Sequence, residues 1–229
     1  MRRTILLSAA AALLLGSAAV LAQGQPATPP APPPQLHGMS FFIAGAVPGT
    51  GNLGGLKGAD KICQDLATAA GAGAHLWHAY LSTQAQGSEQ AVNARGRIGP
   101  GPWYNAKGVL IASSVADLHG DAQRDRNNIQ KTAALDEKGQ MVKGFGDMPN
   151  EHDMLTGSDS TGRAFPAGID ATCNNWTSDA ATNKGMLGHS DRQGGANTSW
   201  NSAHLSRDCT KAGLIATGGA GHFYCFAVN

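Results

Sequence analysis

The sequence predicts an α+β domain with one main helix, several short antiparallel strands and long loops. Three observations support this class. A single segment has the regular apolar spacing typical of an amphipathic helix. Glycine is abundant, with 31 of 229 residues, and aromatic residues are only 6%, which indicates many turns rather than long regular elements. Four cysteines follow a segment typical of an export signal, so we expect disulfides.

Residues 1–22 have the pattern of a secretory signal peptide. Arg2 and Arg3 supply its positive charge, the stretch from Ile5 to Leu15 is almost wholly apolar, and small residues precede a cleavage point after Ala22. A membrane anchor is the alternative, but polar residues soon interrupt the apolar stretch. We therefore expect an exported protein that does not span the membrane and is secreted, periplasmic or held at the cell surface.

Residues 23–38 form a proline-rich linker that includes the run QPATPPAPPPQL. Such a run favours an extended, semi-rigid spacer, although a simply disordered N-terminus fits the composition equally well. Residues 39–229 then provide enough chain for one compact domain.

The charge balance argues against nucleic acid as a partner. The chain has 17 basic and 16 acidic residues, and loss of Arg2 and Arg3 with the signal leaves 15 basic residues, one fewer than the acidic ones. A nucleic-acid binder is normally basic. The sequence also lacks a nucleophile elbow, a His-Glu-x-x-His run and a phosphate loop, so we expect no enzyme.

The predicted elements follow the apolar pattern along the chain. Residues 39–44 are short, aromatic and apolar and predict a first strand, and the spacing of apolar residues over 56–70 predicts a helix with Cys63 on its buried face. Later elements are a strand at 74–82, a strand near 106–112, a helical turn at 115–118, a hairpin at 135–142, a strand around 173–176 and a last strand at 222–228.

Several blocks, in order, carry a family resemblance: Gly55-Leu56-Lys57-Gly58-Ala59-Asp60 with Cys63, Gly157 to Arg163, Cys173-Asn174-Asn175-Trp176, Gly185-Met186-Leu187-Gly188, Cys209 and Tyr224-Cys225-Phe226. Together they resemble the C-type lectin-like fold in its endostatin-type form, including exported bacterial lectin-like proteins. The resemblance spans nearly all of residues 39–229. It implies two nested disulfides, Cys63 with Cys225 and Cys173 with Cys209, where sequence alone leaves three pairings open.

The resemblance also raises the question of calcium, because sugar-binding C-type lectins hold a calcium ion with a Trp-Asn-Asp run between the second and third cysteines. Here Trp200-Asn201-Ser202 lies in that interval, and serine replaces the carboxylate. Calcium is therefore possible, but its motif is incomplete. Met148-Pro149-Asn150-Glu151 lies upstream of Cys173 and is interpreted as a coincidence.

The function predicted from this pattern is an exported recognition module that binds carbohydrate or another cell-envelope ligand. Its candidate contacts are short polar side chains in the loop between the inner cysteines, with an aromatic residue for stacking: Asn183, Asp191, Gln193, Asn197, Trp200 and Asn201. Trp200 is more often a packed core residue in this fold, so the core is the alternative place for it. The alternative is a protein-binding or structural module of the cell envelope.

Two further sets of residues are candidate sites. The eight histidines are interpreted as isolated side chains, with no metal site predicted. Glu151, His152 and Asp153 are a dense titratable group that would suit a hydrolase, but a polar loop explains them as well.

Overall fold

The computed structural model of the protein describes residues 38–120, 126–195 and 197–229. The predicted signal peptide and residues 23–37 of the predicted linker lie outside these ranges. The elements are β1 (Phe41–Ile43), α1 (Gly55–Ala69), β2 (Trp77–Ala79), a 3-10 turn (Ala94–Gly96), β3 (Trp103–Tyr104), β4 (Leu110–Ala112), α2 (Val115–His119), β5 (Asp153–Leu155), α3 (Cys173–Trp176), β6 (Met186–His189), β7 (His204–Leu205), α4 (Lys211–Thr217) and β8 (Gly219–Ala227). The described chain is therefore a mixed α+β domain with four helices and eight strands.

Helix α1 is amphipathic, as its sequence predicts. Ala59, Cys63 and Ala67 follow one another at four-residue steps and are fully buried. The helix ends where Gly71 adopts a positive φ of 81°, a conformation that glycine accepts at low cost. The helix therefore covers the sheet with a face of small side chains that allows close approach.

Six strands form the main sheet, in the order β1-β8-β5-β6-β7, with β2 also paired to β8. The C-terminal half of β8 pairs antiparallel with β1 and β2, and its N-terminal half pairs parallel with β5. This parallel pair is the exception to the predicted antiparallel strands. Strands β3 and β4 form a separate two-stranded sheet.

The long strand β8 separates two hydrophobic cores. Phe223, Cys225 and Ala227 point into the core beneath α1, whereas Tyr224 and Phe226 point into the opposite core. This alternation is the period of two expected for a strand that is buried on both faces.

Two disulfides join distant parts of the domain, and all four cysteines are paired. Cys63 of α1 is bonded to Cys225 of β8, and Cys173 is bonded to Cys209. These are the pairs that the resemblance implies. Such bonds are typical of proteins outside the reducing cytosol.

The short helix α3, Cys173–Trp176, is a single left-handed turn, so the prediction of a strand there is wrong. All four residues have positive φ angles between 48° and 65°. Left-handed backbone costs about 1–2 kcal/mol per non-glycine residue, so contacts must hold it. Side-chain oxygens of Asp170 and Thr172 accept hydrogen bonds from the backbone of the turn, and the Trp176 indole donates to the Ser82 carbonyl.

Among the residues described, no helix has the length and apolar character needed to cross a lipid bilayer.

Candidate functional site

Three neighbouring strands bring polar side chains to one place on the sheet. Asp153 begins β5 and is directly opposite His189 at the end of β6. In the next pair, His204 of β7 is opposite Leu187 of β6, two residues from His189. Residues opposite each other, or two apart on one strand, share a face of the sheet. The register therefore places Asp153, His189 and His204 on the same face.

His152, immediately before β5, completes what we call the histidine–aspartate cluster: His152, Asp153, His189 and His204. The Nε2 atoms of His152 and His189 each lie 3.4 Å from Oδ1 of Asp153, and Nε2 of His204 lies 3.6 Å from it. The rings of His152 and His189 are nearly parallel, with centroids 4.3 Å apart. Three imidazole rings thus surround one carboxylate.

The inner part of the cluster is buried and lacks hydrogen bonds. The Asp153 side chain is 0% exposed, and within the described chain neither of its oxygens has a hydrogen-bond partner. The same holds for both ring nitrogens of His189, whose side chain is 3% exposed. A buried carboxylate without hydrogen bonds is costly, so its presence calls for an explanation.

The Nδ1 atoms of His152 and His204 are held by hydrogen-bond acceptors. Nδ1–H of His152 donates to Oδ1 of Asp191 at 2.9 Å, and Nδ1–H of His204 donates to the Leu205 carbonyl at 3.1 Å. In a neutral ring the remaining Nε2 then carries a lone pair. In that form both Nε2 lone pairs face the Asp153 carboxylate, an arrangement that repels unless a proton or a metal ion lies between them.

Asp191 is the anchor of His152. Burial alone would raise the pKa of Asp191, but hydrogen bonds from His152 and from the backbone N–H groups of Phe145 and Gln193 lower it to about 2. Asp191 is therefore ionised at neutral pH and holds the His152 ring in one orientation.

Burial also changes the ionisation of the inner pair. It raises the pKa of Asp153 to about 6, against the opposing effect of the charges of His204 and His152. Burial, together with repulsion from His152 and His204, lowers the pKa of His189 to about 4. At neutral pH the cluster thus offers a carboxylate and a neutral imidazole, the forms that bind metal ions.

The distances suit a tetrahedral transition-metal ion. Zinc binds nitrogen and carboxylate oxygen at about 2.0–2.2 Å, so neighbouring ligand atoms of a tetrahedral site lie about 3.3–3.5 Å apart. The spacings of 3.4 Å from Asp153 to His152 and to His189 lie in that range, whereas His204 is not among the donors that lie mutually close enough to share an ion. The donor atoms of His152, Asp153 and His189 all lie within 4.8 Å of one another. The donor set, rich in nitrogen, is typical of zinc rather than calcium.

A cavity of about 400 Å³ adjoins the cluster. His204 is the cluster member most exposed to it, with 39% of its side chain accessible. Phe145 lies at the rim with its ring centroid 6.3 Å from that of His152, and Gly194 has no side chain to close the gap between these two rings. The other lining residues are Asn150, Gly195, Asn197, Ala203 and Thr217.

The residues predicted to contact a ligand are not brought together. Trp200 and Asn201 are both 0% exposed; the Trp200 ring packs against Tyr80, and the Asn201 amide donates to the Tyr80 hydroxyl. This burial does not fit their predicted role in ligand contact. It fits the alternative interpretation of Trp200 as a core residue, because these side chains tie the loop to the second hydrophobic core.

The other four predicted residues have separate places. Asn183 is hydrogen-bonded to Ser178 and Asp170 beside a different, shallow cavity. Asp191 is buried and supports His152, while Gln193 and Asn197 are exposed, and Asn197 lines the cavity beside the cluster. Only the last of these contacts the space where a ligand would approach the cluster.

The titratable group at 151–153 is divided between two cavities. His152 lines the cavity beside the cluster, whereas Glu151 lines another cavity together with Lys211 and His222. The geometry therefore does not support a hydrolase that uses Glu151 with His152 and Asp153.

Sequence reasoning missed the convergence of His189 and His204 on His152 and Asp153. The interpretation of these histidines as isolated is wrong, because three of the eight surround one carboxylate. The available signal was weak: a histidine in each of two short segments that lacked clear strand periodicity.

Comparison with protein families found no matching family model, and comparison with curated proteins found no matching sequence. The geometry of the site is therefore the basis for a functional proposal.

Proposed function

We propose that the chain is an exported, non-enzymatic recognition module that holds a transition-metal ion, zinc in the first place, in the histidine–aspartate cluster. The observation that carries this proposal is the buried carboxylate of Asp153, without hydrogen bonds and faced by three ring nitrogens. A metal ion between them would turn the mutual repulsion of lone pairs into coordination.

Protons alone are a poorer explanation for the cluster. The lowered pKa of His189 keeps that ring neutral at neutral pH, so it does not supply a positive charge. Its two nitrogens would then remain buried without partners. A metal ion would satisfy His189 and Asp153 together, and the acceptor at His152 matches the outer hydrogen bond that metal-binding histidines usually make.

We further propose that the fold is of the C-type lectin-like kind, endostatin-type. Support comes from the antiparallel pairing of β1 with β8, the disulfide from α1 to β8 and the second disulfide in the loop-rich part of the chain. Within that fold the ion would lie in a site made of nitrogen donors, unlike the oxygen-lined calcium site of sugar-binding lectins.

The non-enzymatic part of the proposal rests on the lining of the cavity. Its titratable residues, among those described, are the histidines of the cluster, which a metal would occupy. An additional acid or base within hydrogen-bond reach of the substrate, which general acid–base catalysis uses, is not found among the described lining residues outside the cluster. The glycan as ligand stays a prediction, since Trp200 and Asn201 are buried.

The proposal is tested by titrating chelator-treated mature protein with zinc and with calcium in a calorimeter. We expect one equivalent of zinc to bind and calcium to give no heat. His189→Gln should weaken zinc binding by more than about 100-fold, because it removes a direct ligand, and loss of a hydrogen bond to a ligand alone costs about 10–100-fold.

His75→Gln is the matched control. His75 lies outside the cluster and its ring is hydrogen-bonded to the Asn229 carbonyl, so this variant should bind zinc as the unaltered protein does. Circular dichroism of both variants checks that they fold. Absence of zinc binding, or equal affinity in the His189→Gln variant, would overturn the proposal.

A further inference from the structure

We propose that the cavity lined by Glu151, Lys211 and His222, here called the Glu151 cavity, binds a short apolar peptide whose two ends are free. The ligand has an ammonium group, a carboxylate and an apolar body between them. This site goes beyond the metal centre, because no member of the histidine–aspartate cluster is among the described residues that line it.

Several elements meet at the Glu151 cavity. Residues 45–49 after β1, Ile62 of α1 and Glu151 before β5 form part of its wall. Lys211 and Ile215 are four residues apart on α4 and therefore lie on the same side of that helix. The volume of about 670 Å³ is within the size range of small-molecule sites.

The cavity contains one acidic and one basic side chain, and the protein neutralises neither. Within the described chain, the Glu151 carboxylate and the Lys211 ammonium group have no ion-pair or hydrogen-bond partner, so they do not pair with each other. Glu151 is half-buried and Lys211 is exposed. A ligand with both charges complements both side chains, whereas a simple anion or cation would place a like charge beside one of them.

His222 adds a buried hydrogen-bond acceptor to the same cavity. The residue is 8% exposed, and its Nδ1–H donates to the Ala44 carbonyl at 2.7 Å. In a neutral ring Nε2 is then an acceptor, and it has no partner among the described residues. Buried polar atoms are normally paired, so Nε2 is suited to a donor from a ligand. We assign the ligand ammonium group to Glu151 and His222, and its carboxylate to Lys211.

Apolar side chains complete the wall and select the body of the ligand. Ile215 is 52% exposed, and Val47 and Ile62 are half-buried against the core beneath α1. These side chains offer contact to branched apolar groups. Because the side chains of Glu151 and Lys211 do not reach each other, the two ligand charges must be separated, and two extended residues span at most about 7 Å. The dipeptide Leu-Leu combines these properties and serves as the probe.

The test is calorimetric titration of the full mature chain, treated with chelator, with Leu-Leu. We expect one equivalent to bind. Gly-Gly has the same charges without apolar side chains and should bind at least about tenfold more weakly.

Two variants and two capped peptides identify which ligand group faces which side chain. Lys211→Met should weaken Leu-Leu by about fivefold and leave the affinity for Leu-Leu-amide, which has no carboxylate, unchanged. Glu151→Gln should weaken Leu-Leu by about the same factor and leave the affinity for N-acetyl-Leu-Leu, which has no ammonium group, unchanged. Lys61→Met is the matched control, because Lys61 is paired with Asp65 on α1 and lies outside the cavity. Circular dichroism checks that each variant folds.

Three results would overturn the proposal: no binding of Leu-Leu to the folded protein, equal affinity for Leu-Leu and Gly-Gly, or equal affinity for Leu-Leu and both capped peptides. All titrations are done without metal, so these results leave the zinc centre standing. Conversely, a failure of zinc to bind would leave the Glu151 cavity as a peptide site.

Discussion

Without metal, the Asp153→Asn variant should be more stable than the unaltered protein. With zinc present, the variant should be less stable than the unaltered protein. The substitution keeps the shape of the side chain and removes its charge. The carboxylate is fully buried and has no hydrogen-bond partner among the described residues. Without metal the carboxylate therefore destabilises the folded protein, and with metal it is a ligand.

The size of this effect follows from the pKa of Asp153. Burial raises this pKa from 3.8 in the unfolded chain to about 6 in the folded protein. A raised folded-state pKa means that the native state binds the proton more tightly, so for this group stability is greatest below pH 3.8, falls as the pH rises to about 6 and is constant above. The loss at neutral pH is about 3 kcal/mol, or about 6–12 °C in Tm for a domain of this size.

Thermal unfolding in chelator across a pH series measures this loss. At neutral pH the Asp153→Asn variant should melt about 6–12 °C above the unaltered protein, and the two curves should converge toward pH 4. Adding zinc should raise the Tm of the unaltered protein in proportion to its binding free energy and leave the variant almost unchanged.

Asp65→Asn is the control for the substitution itself. Asp65 is 62% exposed and pairs with Lys61 on α1, so its loss should change stability by less than about 0.5 kcal/mol. Two results would refute the reasoning about Asp153: a metal-free Asp153→Asn variant that melts below the unaltered protein at neutral pH, or a difference in Tm that persists at pH 4.

Three other predictions concern the parts around the cluster. Asp191→Asn should weaken zinc binding by about 10–100-fold, measured by competition with a chelating dye, because it removes the acceptor that orients His152; unchanged affinity would contradict that role. Trp200→Ala should lower the free energy of unfolding in urea by about 3–5 kcal/mol without altering zinc affinity, since the Trp200 ring lies in the core. A loss of zinc binding in a folded variant would place Trp200 at the site instead. Removing the Cys173–Cys209 disulfide by paired serine substitution should cost about 4 kcal/mol; an unaltered urea midpoint would show that the left-handed turn holds without it.

The parts of the fold that were predicted from sequence have strong local patterns. Helix α1 buries its side chains at regular four-residue steps, and β8 alternates apolar residues between two cores. Both patterns arise from burial of one side of a regular element, which a single sequence records directly. The strand predicted at 74–82 is shorter in the structure, at Trp77–Ala79, because only that part pairs with β8.

The turn at Cys173–Trp176 could not be predicted in this way. Its left-handed conformation depends on acceptors at Asp170 and Thr172, on the disulfide and on pairing of the Asn175 amide with the backbone of Gln84. The last of these contacts spans 91 residues of sequence. The local sequence Cys-Asn-Asn-Trp carries none of this information.

The histidine–aspartate cluster could not be predicted from the sequence for a related reason. Its members come from three strands that hold between two and four residues each, too short to show a period. Their proximity is set by the register of β5, β6 and β7, which a sequence alone does not specify. Histidine next to aspartate at 152 and 153 was visible, but its partners at 189 and 204 were not linked to it by any local motif.

The pairing of the first and last strands has a consequence for how the domain can be rewired. Phe41 is opposite Phe226, and the backbone N–H of Ala227 donates to the Ser40 carbonyl at 2.9 Å, so the chain enters and leaves the domain at neighbouring points. A short Gly-Ser connection could therefore join these points, and new ends could be opened at an exposed loop. Because β8 separates β1 from β5, and β6 and β7 lie beyond β5, the junctions of such a circular permutant are not on the strands that carry the cluster. The domain can accordingly be inserted into a host protein through two adjacent junctions.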